Sequence, residues 1–205
     1  MTPDHIVFLV DDDRRIRESL TALLSSFDMH AVAFGSAAEY VAYPKPDVPS
    51  CLVLDVELPG LNGLELQSRL ATEHHPPIVF LTGHGDIPTS VRAIKAGAVD
   101  FLTKPFEEAV LMRAIHAALA HSRDTRRRSA EAVQLHRRYA TLTPREREVL
   151  PLVARGLLNK QAAAELGISE VTLQIHRGNV MKKLGAGSLA ELVRMAGRLE
   201  SGPAG

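Results

Sequence analysis

The sequence predicts an α/β fold followed by an all-α one: an N-terminal doubly wound (βα)5 domain with a five-stranded parallel sheet, then a C-terminal four-helix domain containing a helix-turn-helix. Three observations predict it. Short apolar runs alternate with helical patterns through the first 121 residues, every later signal is helical, and the charge divides between two parts. Residues 1–121 carry 9 Lys and Arg against 16 Asp and Glu, whereas 122–205 carry 15 against 8. A net charge of zero therefore hides an acidic half suited to cations and a basic half suited to phosphate-rich partners.

The runs Ile6–Val10, Ala31–Phe34, Cys51–Leu54, Ile78–Leu81 and Val99–Leu102 read as five strands. Between them, Ile16, Leu20, Leu23, Leu24 and Phe27 recur at helical spacing, with Asp13 placed to cap that first helix. Leu64, Leu66 and Leu70 form a second such face, and Val91, Ile94 and Ala98 a third, with Gly97 as its terminator. A fifth helix starts near Glu107. Strand–helix alternation demands crossovers, hence a parallel sheet covered on both faces, which explains strands that are apolar throughout rather than alternating.

The polar segment 122–139, with Arg126-Arg127-Arg128, reads as a linker, and its good helix formers without Pro or Gly favour a helical extension over a flexible tether. Beyond it, over 140–200, the caps are legible. Thr143-Pro144-Arg145-Glu146 is a capping box with Pro at the first helical position, and Ser188 to Glu191 repeats the box. Pro151 is expected to interrupt the helix after Leu150. Asn159 is expected to cap Lys160–Leu166, Gly167 to stop it, and Ser169 to cap a further helix ending near Leu184 before Gly185: two short helices about a tight turn. Leu189, Leu192, Val193, Ala196 and Leu199 give a last amphipathic helix, and residues 201–205 read as a disordered tail.

Several functions are disfavoured at once. The longest apolar run has five residues, against about 20 for a membrane span, and the first residues lack a signal-peptide pattern, so the expectation is a cytoplasmic chain without membrane contact. Cys51 sits in an apolar run and reads as a buried hydrophobe. Nine histidines show no helical zinc-ligand spacing: His74 and His75 are adjacent, and His116 and His121 are five apart. Gly83-His84-Gly85 is too short for a nucleotide-binding loop.

Ligands of an open parallel sheet bind beyond the carboxyl ends of its strands. There the sequence gathers Asp11 and Asp12 after the first strand, Asp55 at the third, Thr82 at the fourth and Lys104 after the fifth. Three mutually repelling carboxylates favour a hard divalent cation, most naturally Mg²⁺, and a carboxylate beside such an ion can attack phosphorus to form an acyl phosphate. Asp55 is the candidate nucleophile.

The residues Val10-Asp11-Asp12, Leu54 through Gly63, Leu81 through Gly85 and Lys95 through Phe106 resemble the receiver domain of two-component response regulators. The resemblance implies Asp55 as phosphoacceptor, and Mg²⁺ held by Asp12, Asp55 and the carbonyl of Glu57, with Asp11 assisting through water. It further implies Thr82 and Lys104 on the phosphoryl oxygens, a cis Lys104–Pro105 bond, and a switch pairing Thr82 with Phe101, where Phe lacks the hydroxyl of the commoner Tyr.

In the basic half, Leu173, Val180 and Leu184 fall on one side of their helix, which leaves Val171, Ile175, Gly178 and Lys182 on the other, flanked by Thr172, Gln174 and Asn179. Gln and Asn can pair with adenine, Ile and Val can touch thymine methyls, and Gly178 permits close approach to a groove. Lys160, Lys182 and Lys183 can neutralise phosphates. Leu142 through Leu150, Gly156 through Lys160, Leu166 through Ser169, Val171 through Leu173 and His176 through Leu184 look like a LuxR-type DNA-binding domain. The resemblance adds Arg177 to the candidate DNA residues. Ala163, Ala164 and Gln174 depart from common residues of that type.

Together the halves resemble the NarL/FixJ response regulators, FixJ type. That implies a chain phosphorylated on Asp55 by a cognate histidine kinase, a homodimer when phosphorylated, binding to double-stranded DNA and action on the transcription machinery, without enzymatic turnover. Two rivals stand beside it: a phosphorylation-independent regulator whose first domain only dimerises, and a phosphohydrolase with an Asp nucleophile, for which Asp55-x-Glu57 supplies no second Asp. Activation by freeing an occluded helix or by assembling a dimer stays open, and the long linker favours assembly.

Overall fold

Five wholly parallel strands order themselves β2-β1-β3-β4-β5 in the computed structural model, which describes residues 3–70, 75–83 and 87–200. They are β1 (Ile6–Val10), β2 (Ala31–Phe34), β3 (Ser50–Asp55), β4 (Ile78–Thr82) and β5 (Asp100–Thr103). The helices between and after them are α1 (Arg14–Ser26), α2 (Ala37–Ala42), α3 (Gly63–Leu70), α4 (Ile87–Lys95) and α5 (Glu108–Ala140). Then follow α6 (Pro144–Ala154), α7 (Asn159–Leu166), α8 (Glu170–Leu184) and α9 (Leu189–Glu200). The chain divides into two compact units, Met1–Arg126 and Arg127–Gly205.

In the first unit the sheet is buried on both sides because each strand feeds two cores. Ile6, Phe8 and Val10 of β1 pack with Tyr40 of α2 and Leu66 of α3, while Val7 and Leu9 pack with Leu24 of α1 and Ile115 of α5. The expected strands all form, with β5 one residue later than its apolar run suggests. Asp13 caps α1 by accepting from the Arg15 N–H at 2.8 Å. Of the face expected for α4, Ala98 just past its end is buried, but Val91 and Ile94 are each 45% exposed, and within the helix Ala93 is the buried residue. A small residue suffices there because α3 reaches α4 with a buried amide: Gln67 Nε2 donates to the carbonyls of Ala93 and Ala96, both at 3.2 Å. The Lys104–Pro105 bond is cis.

Helix α5 takes in the whole polar segment expected as a linker, and some of that segment is core. Ser122 is buried with its Oγ accepting from Ser50 N at 3.1 Å, and Arg126 pairs with Asp47. Leu135 and Tyr139 pack in the core of the second unit.

The helical unit forms around Leu150, Val153, Leu173, Val180, Leu184 and Leu192. Its capping box closes as expected, Thr143 Oγ1 accepting from Glu146 N and the Glu146 carboxylate accepting from Thr143 N. Ser188 likewise caps α9, but Glu191 turns to Gly187 N rather than completing the box. Two expectations are corrected. Pro151 does not interrupt α6: its ring sits on the exposed side and its carbonyl still accepts from Arg155 N at 3.0 Å, so the ladder resumes beyond it. Asn159 does not cap α7. Leu158 takes the extended N-cap conformation, Gln161 reaches back to its N–H, and Asn159 becomes the first helical residue with its amide turned elsewhere. Gly167 and Gly185 end α7 and α8 in the left-handed region, φ 64° and 76°. The tail 201–205, His74, His84 and Gly85 lie outside the described residues.

Candidate functional site

The carboxyl edge of the sheet collects the five expected side chains. Asp11 follows β1 and Asp55 and Thr82 close β3 and β4, all three buried, while the neighbouring Asp12 is exposed. Ligand oxygens of Asp11, Asp12 and Asp55 lie within 4.8 Å of one another. Lys104, just past β5, donates from Nζ to Asp11 Oδ2 and to Asp55 Oδ2, both at 2.7 Å. The other oxygens of these two carboxylates are also engaged: Asp55 Oδ1 accepts from Glu57 N at 3.0 Å and Asp11 Oδ1 from Asp13 N at 2.9 Å.

The electrostatics follow from that packing. Burial raises the Asp55 pKa above its ordinary value, against the pull of its hydrogen bonds to Lys104 and the Glu57 N–H, and the nearby Asp11 charge adds to the rise. Burial works against the Lys104 charge too, but its two carboxylate bonds outweigh it and hold its pKa above the usual lysine value. Three clustered carboxylates are hard oxygen donors, a set that fits a divalent cation. Phe101 is half-buried, its ring 6.0 Å from that of Phe80.

Two residues shape this edge in ways the sequence does not disclose. Gly63 begins α3 so close under β3 that a Cβ there would stand 2.4 Å from the Asp55 carbonyl oxygen. Its spacing from Asp55 belongs to a recognisable motif, but the reason for a glycine there is a backbone contact invisible in a residue string. Arg17, at the end of the first turn of α1, donates from Nη1 to the carbonyls of Asp11 and Asp12 at 2.7 and 2.9 Å.

In the helical unit, the expected recognition face is sorted by its contacts. On α8, Gln174, Ile175, Gly178, Asn179 and Lys182 are exposed, Val171 and Ile175 at 69% and 59%, and Lys160 of α7 is exposed too. The other three candidates are occupied within the unit. Thr172 Oγ1 lies 2.7 Å from Ser169 Oγ at the helix cap, and Arg177 donates to Asn159 Oδ1 at 2.9 Å, tying α8 to α7. Lys183 does not stand free for phosphate: its Nζ pairs with the buried Glu146 at 2.6 Å and reaches Thr141 O at 3.2 Å. That bond, with those to Thr143, holds the Glu146 pKa below its ordinary value despite its burial.

An acidic sheet-edge site with a facing lysine, in one chain with a helix-turn-helix, defines a class: response regulators that bind DNA. Residues 7–116 match the family "Response regulator receiver domain", and 140–196 match "Bacterial regulatory proteins, luxR family". Nodulation protein W of Bradyrhizobium diazoefficiens is 54% identical over 192 residues, covering 93% of this chain and 85% of its own. Among solved structures, the response regulator StyR superposes with TM-score 0.81 at 46% identity over 96% of this chain and all of its own. Full-length FixJ from B. japonicum superposes with TM-score 0.56 at 40% identity, covering 98% and 99%. The chain belongs to the NarL/FixJ family of two-component response regulators, FixJ type, with a LuxR-type DNA-binding domain. No described helix is long and apolar enough to cross a membrane.

Proposed function

We propose that Asp55 accepts a phosphoryl group from a phosphohistidine of a histidine kinase, and that the phosphorylated chain dimerises, binds DNA through α8 and controls transcription. The observation that carries this reading is the Lys104 ammonium bridging Asp11 and Asp55, with Asp12 completing an acidic cluster. In the transfer, an Asp55 carboxylate oxygen bonds to phosphorus as the P–N bond breaks, and the imidazole leaves neutral after taking up a proton. Asp11, Asp12, Asp55 and the Glu57 carbonyl would hold Mg²⁺, which when bound neutralises charge on the phosphoryl oxygens.

The chain's own groups do the rest. Lys104 can turn from the Asp55 carboxylate to a phosphoryl oxygen with its charge kept, and the Thr82 hydroxyl can donate to another. Moving Lys104 from one anionic acceptor to another gains only the difference between two charge-assisted bonds, so even with a Thr82 bond of about 1.5–3 kcal/mol the gain falls short of the roughly 5.5 kcal/mol that moves a 1:99 equilibrium to 99:1, and dimerisation supplies the remainder. The event is self-modification of the chain, not turnover. On DNA, the reading assigns bases to Gln174, Ile175, Gly178 and Asn179 and phosphates to Lys160 and Lys182.

Sedimentation of the full chain and of Asp55→Asn, each with Mg²⁺ and with or without a small phosphoryl donor, tests it, followed by DNA binding at fixed salt. A dimer that forms only in phosphorylated wild type, with tighter DNA binding, supports the proposal. Uptake without dimerisation but with tighter DNA binding replaces assembly by release of an occluded helix. Equal behaviour of both proteins refutes the phosphorylation switch.

A further inference from the structure

Of the carboxylates at the sheet edge, two are fixed by their own hydrogen bonds and one is not. Asp11 is tied through Lys104 and Asp13, and Asp55 through Lys104 and Glu57. Asp12 is exposed, and the bond that fixes it acts on its backbone: Arg17 Nη1 donates to its carbonyl at 2.9 Å and to that of Asp11 at 2.7 Å. Arg17 stands at the start of α1 with its guanidinium beside the end of β2. Its helix is anchored by Asp13, whose carbonyl accepts from Arg17 N at 3.1 Å, and its Nη1 lies against Gly35 at the end of β2, 3.6 Å from where a Cβ would stand.

We infer that Arg17 is a positioning residue for the divalent cation: by holding two successive carbonyls it fixes the turn that aims the Asp12 carboxylate at the cluster shared with Asp11 and Asp55. Arg17 cannot be a ligand, since a guanidinium offers no lone pair. Its charge alone opposes a cation. The two roles therefore have opposite signs. If Arg17 acted only through its charge, its removal would tighten metal binding; if it positions Asp12, removal loosens it because a ligand must then be ordered on binding. This inference rests on the reading of the cluster as a cation site.

Calorimetric titration of the unphosphorylated full chain with Mg²⁺ alone separates these cases, using wild type, Arg17→Met and Arg17→Lys, with thermal unfolding as a check on folding. Arg17→Met is expected to weaken Mg²⁺ binding about tenfold, which is about 1.4 kcal/mol. Arg17→Lys keeps the charge but not the planar fork and is expected to fall between them. In both variants phosphoryl uptake from a small donor should recover at high Mg²⁺, a shift in cation dependence that general loosening of the fold would not give. Unchanged or tighter Mg²⁺ binding in Arg17→Met overturns the inference, as does uptake that no Mg²⁺ concentration restores. Should Arg17→Met fail to fold, wild-type affinity in Arg17→Lys overturns it alone. Wild type that binds no Mg²⁺ overturns the cation reading itself, a result distinct from any difference among the variants.

Discussion

Adjacent lysines at the end of α8 are expected to do unrelated work, and their substitution makes the sharpest test of the recognition helix. Lys182 is exposed, whereas Lys183 Nζ sits 2.6 Å from Glu146 Oε2, on a side chain 4% exposed. Lys183→Met removes a charge-assisted hydrogen bond worth about 1.5–3 kcal/mol. The larger cost of about 3–5 kcal/mol for fully buried pairs does not apply, because the Lys183 side chain is 34% exposed and Thr143 still donates to Glu146. For a unit of this size about 2 kcal/mol lowers the midpoint of thermal unfolding by roughly 8–16 °C. The effect on DNA is separate: every phosphate that the protein no longer neutralises reduces the slope of log K against log salt by about 0.9 on duplex DNA.

Fluorescence anisotropy with a labelled duplex of arbitrary sequence, read at several salt concentrations, and calorimetric unfolding give both quantities. Lys182→Met should flatten the salt slope by about 0.9 with little change in the unfolding midpoint. Lys183→Met should lower the midpoint and keep the slope, measured at a temperature where it is folded. A flattened slope in Lys183→Met with an unchanged midpoint would refute the assignment of this lysine to the fold.

Acid should attack the same pair. Glu146 has a folded pKa below its ordinary 4.5, so the stability it contributes is present above that value and is lost as pH falls through the folded one. Glu146→Gln should be less stable at neutral pH and lose part of the acid dependence of wild type, followed by urea unfolding between neutral pH and pH about 3. Gly63→Ala must move backbone out of a 2.4 Å contact with Asp55 and is expected to cost about 1–3 kcal/mol, checked by thermal unfolding. It should also slow phosphoryl uptake, since the displaced backbone is that of Asp55. Gln67→Leu removes bonds to the carbonyls of Ala93 in α4 and of Ala96 just past it, and should cost about 1–3 kcal/mol and speed amide exchange at the end of α4, an effect absent if these carbonyls need no donor.

Much of the first unit was legible because burial on both faces writes the central strands β1, β3 and β4 as apolar runs, and the ends of those runs are the site. Asp11, Asp55 and Thr82 could be placed at one edge because each stands at the carboxyl end of a strand in a parallel sheet. Apolar period was a poorer guide for α4, where Val91 and Ile94 share a face that stays exposed. A sequence shows which residues share a face, not whether a neighbour covers it, and here the neighbour contributes the amide of Gln67. The recognition helix shows the same limit. Lys182 and Lys183 are equivalent in composition and adjacent in sequence, yet Lys183 faces a buried carboxylate contributed by a helix 37 positions earlier. Long-range ion pairs of this kind leave no local pattern, and the Arg17 contact with two carbonyls leaves none either, because its acceptors are backbone.

The arrangement around Lys104 bears on how a phosphoryl group would act as a signal on the proposed reading. Lys104 is already bound to two carboxylates, so phosphorylation creates no new cationic partner; it replaces one anionic acceptor by another carrying about −1.5 to −2. The gain from that exchange is only the difference between two charge-assisted bonds, smaller than the value of either. A switch that depended on Lys104 alone would then be weak. The hydroxyl of Thr82 differs in reach: a phosphoryl oxygen extends further from β3 than the Asp55 carboxylate and can accept from it in exchange for its present contact. Thr82 closes β4, and the backbone beyond it leads into α4, whose far end is held by Gln67 while Ile87, Val91 and Ile94 are exposed. Movement begun at Thr82 is therefore best absorbed at the near end of α4, which re-aims an apolar face without unfolding the anchor. On this reasoning Lys104 stabilises the site in both states, and the difference between them is carried by Thr82.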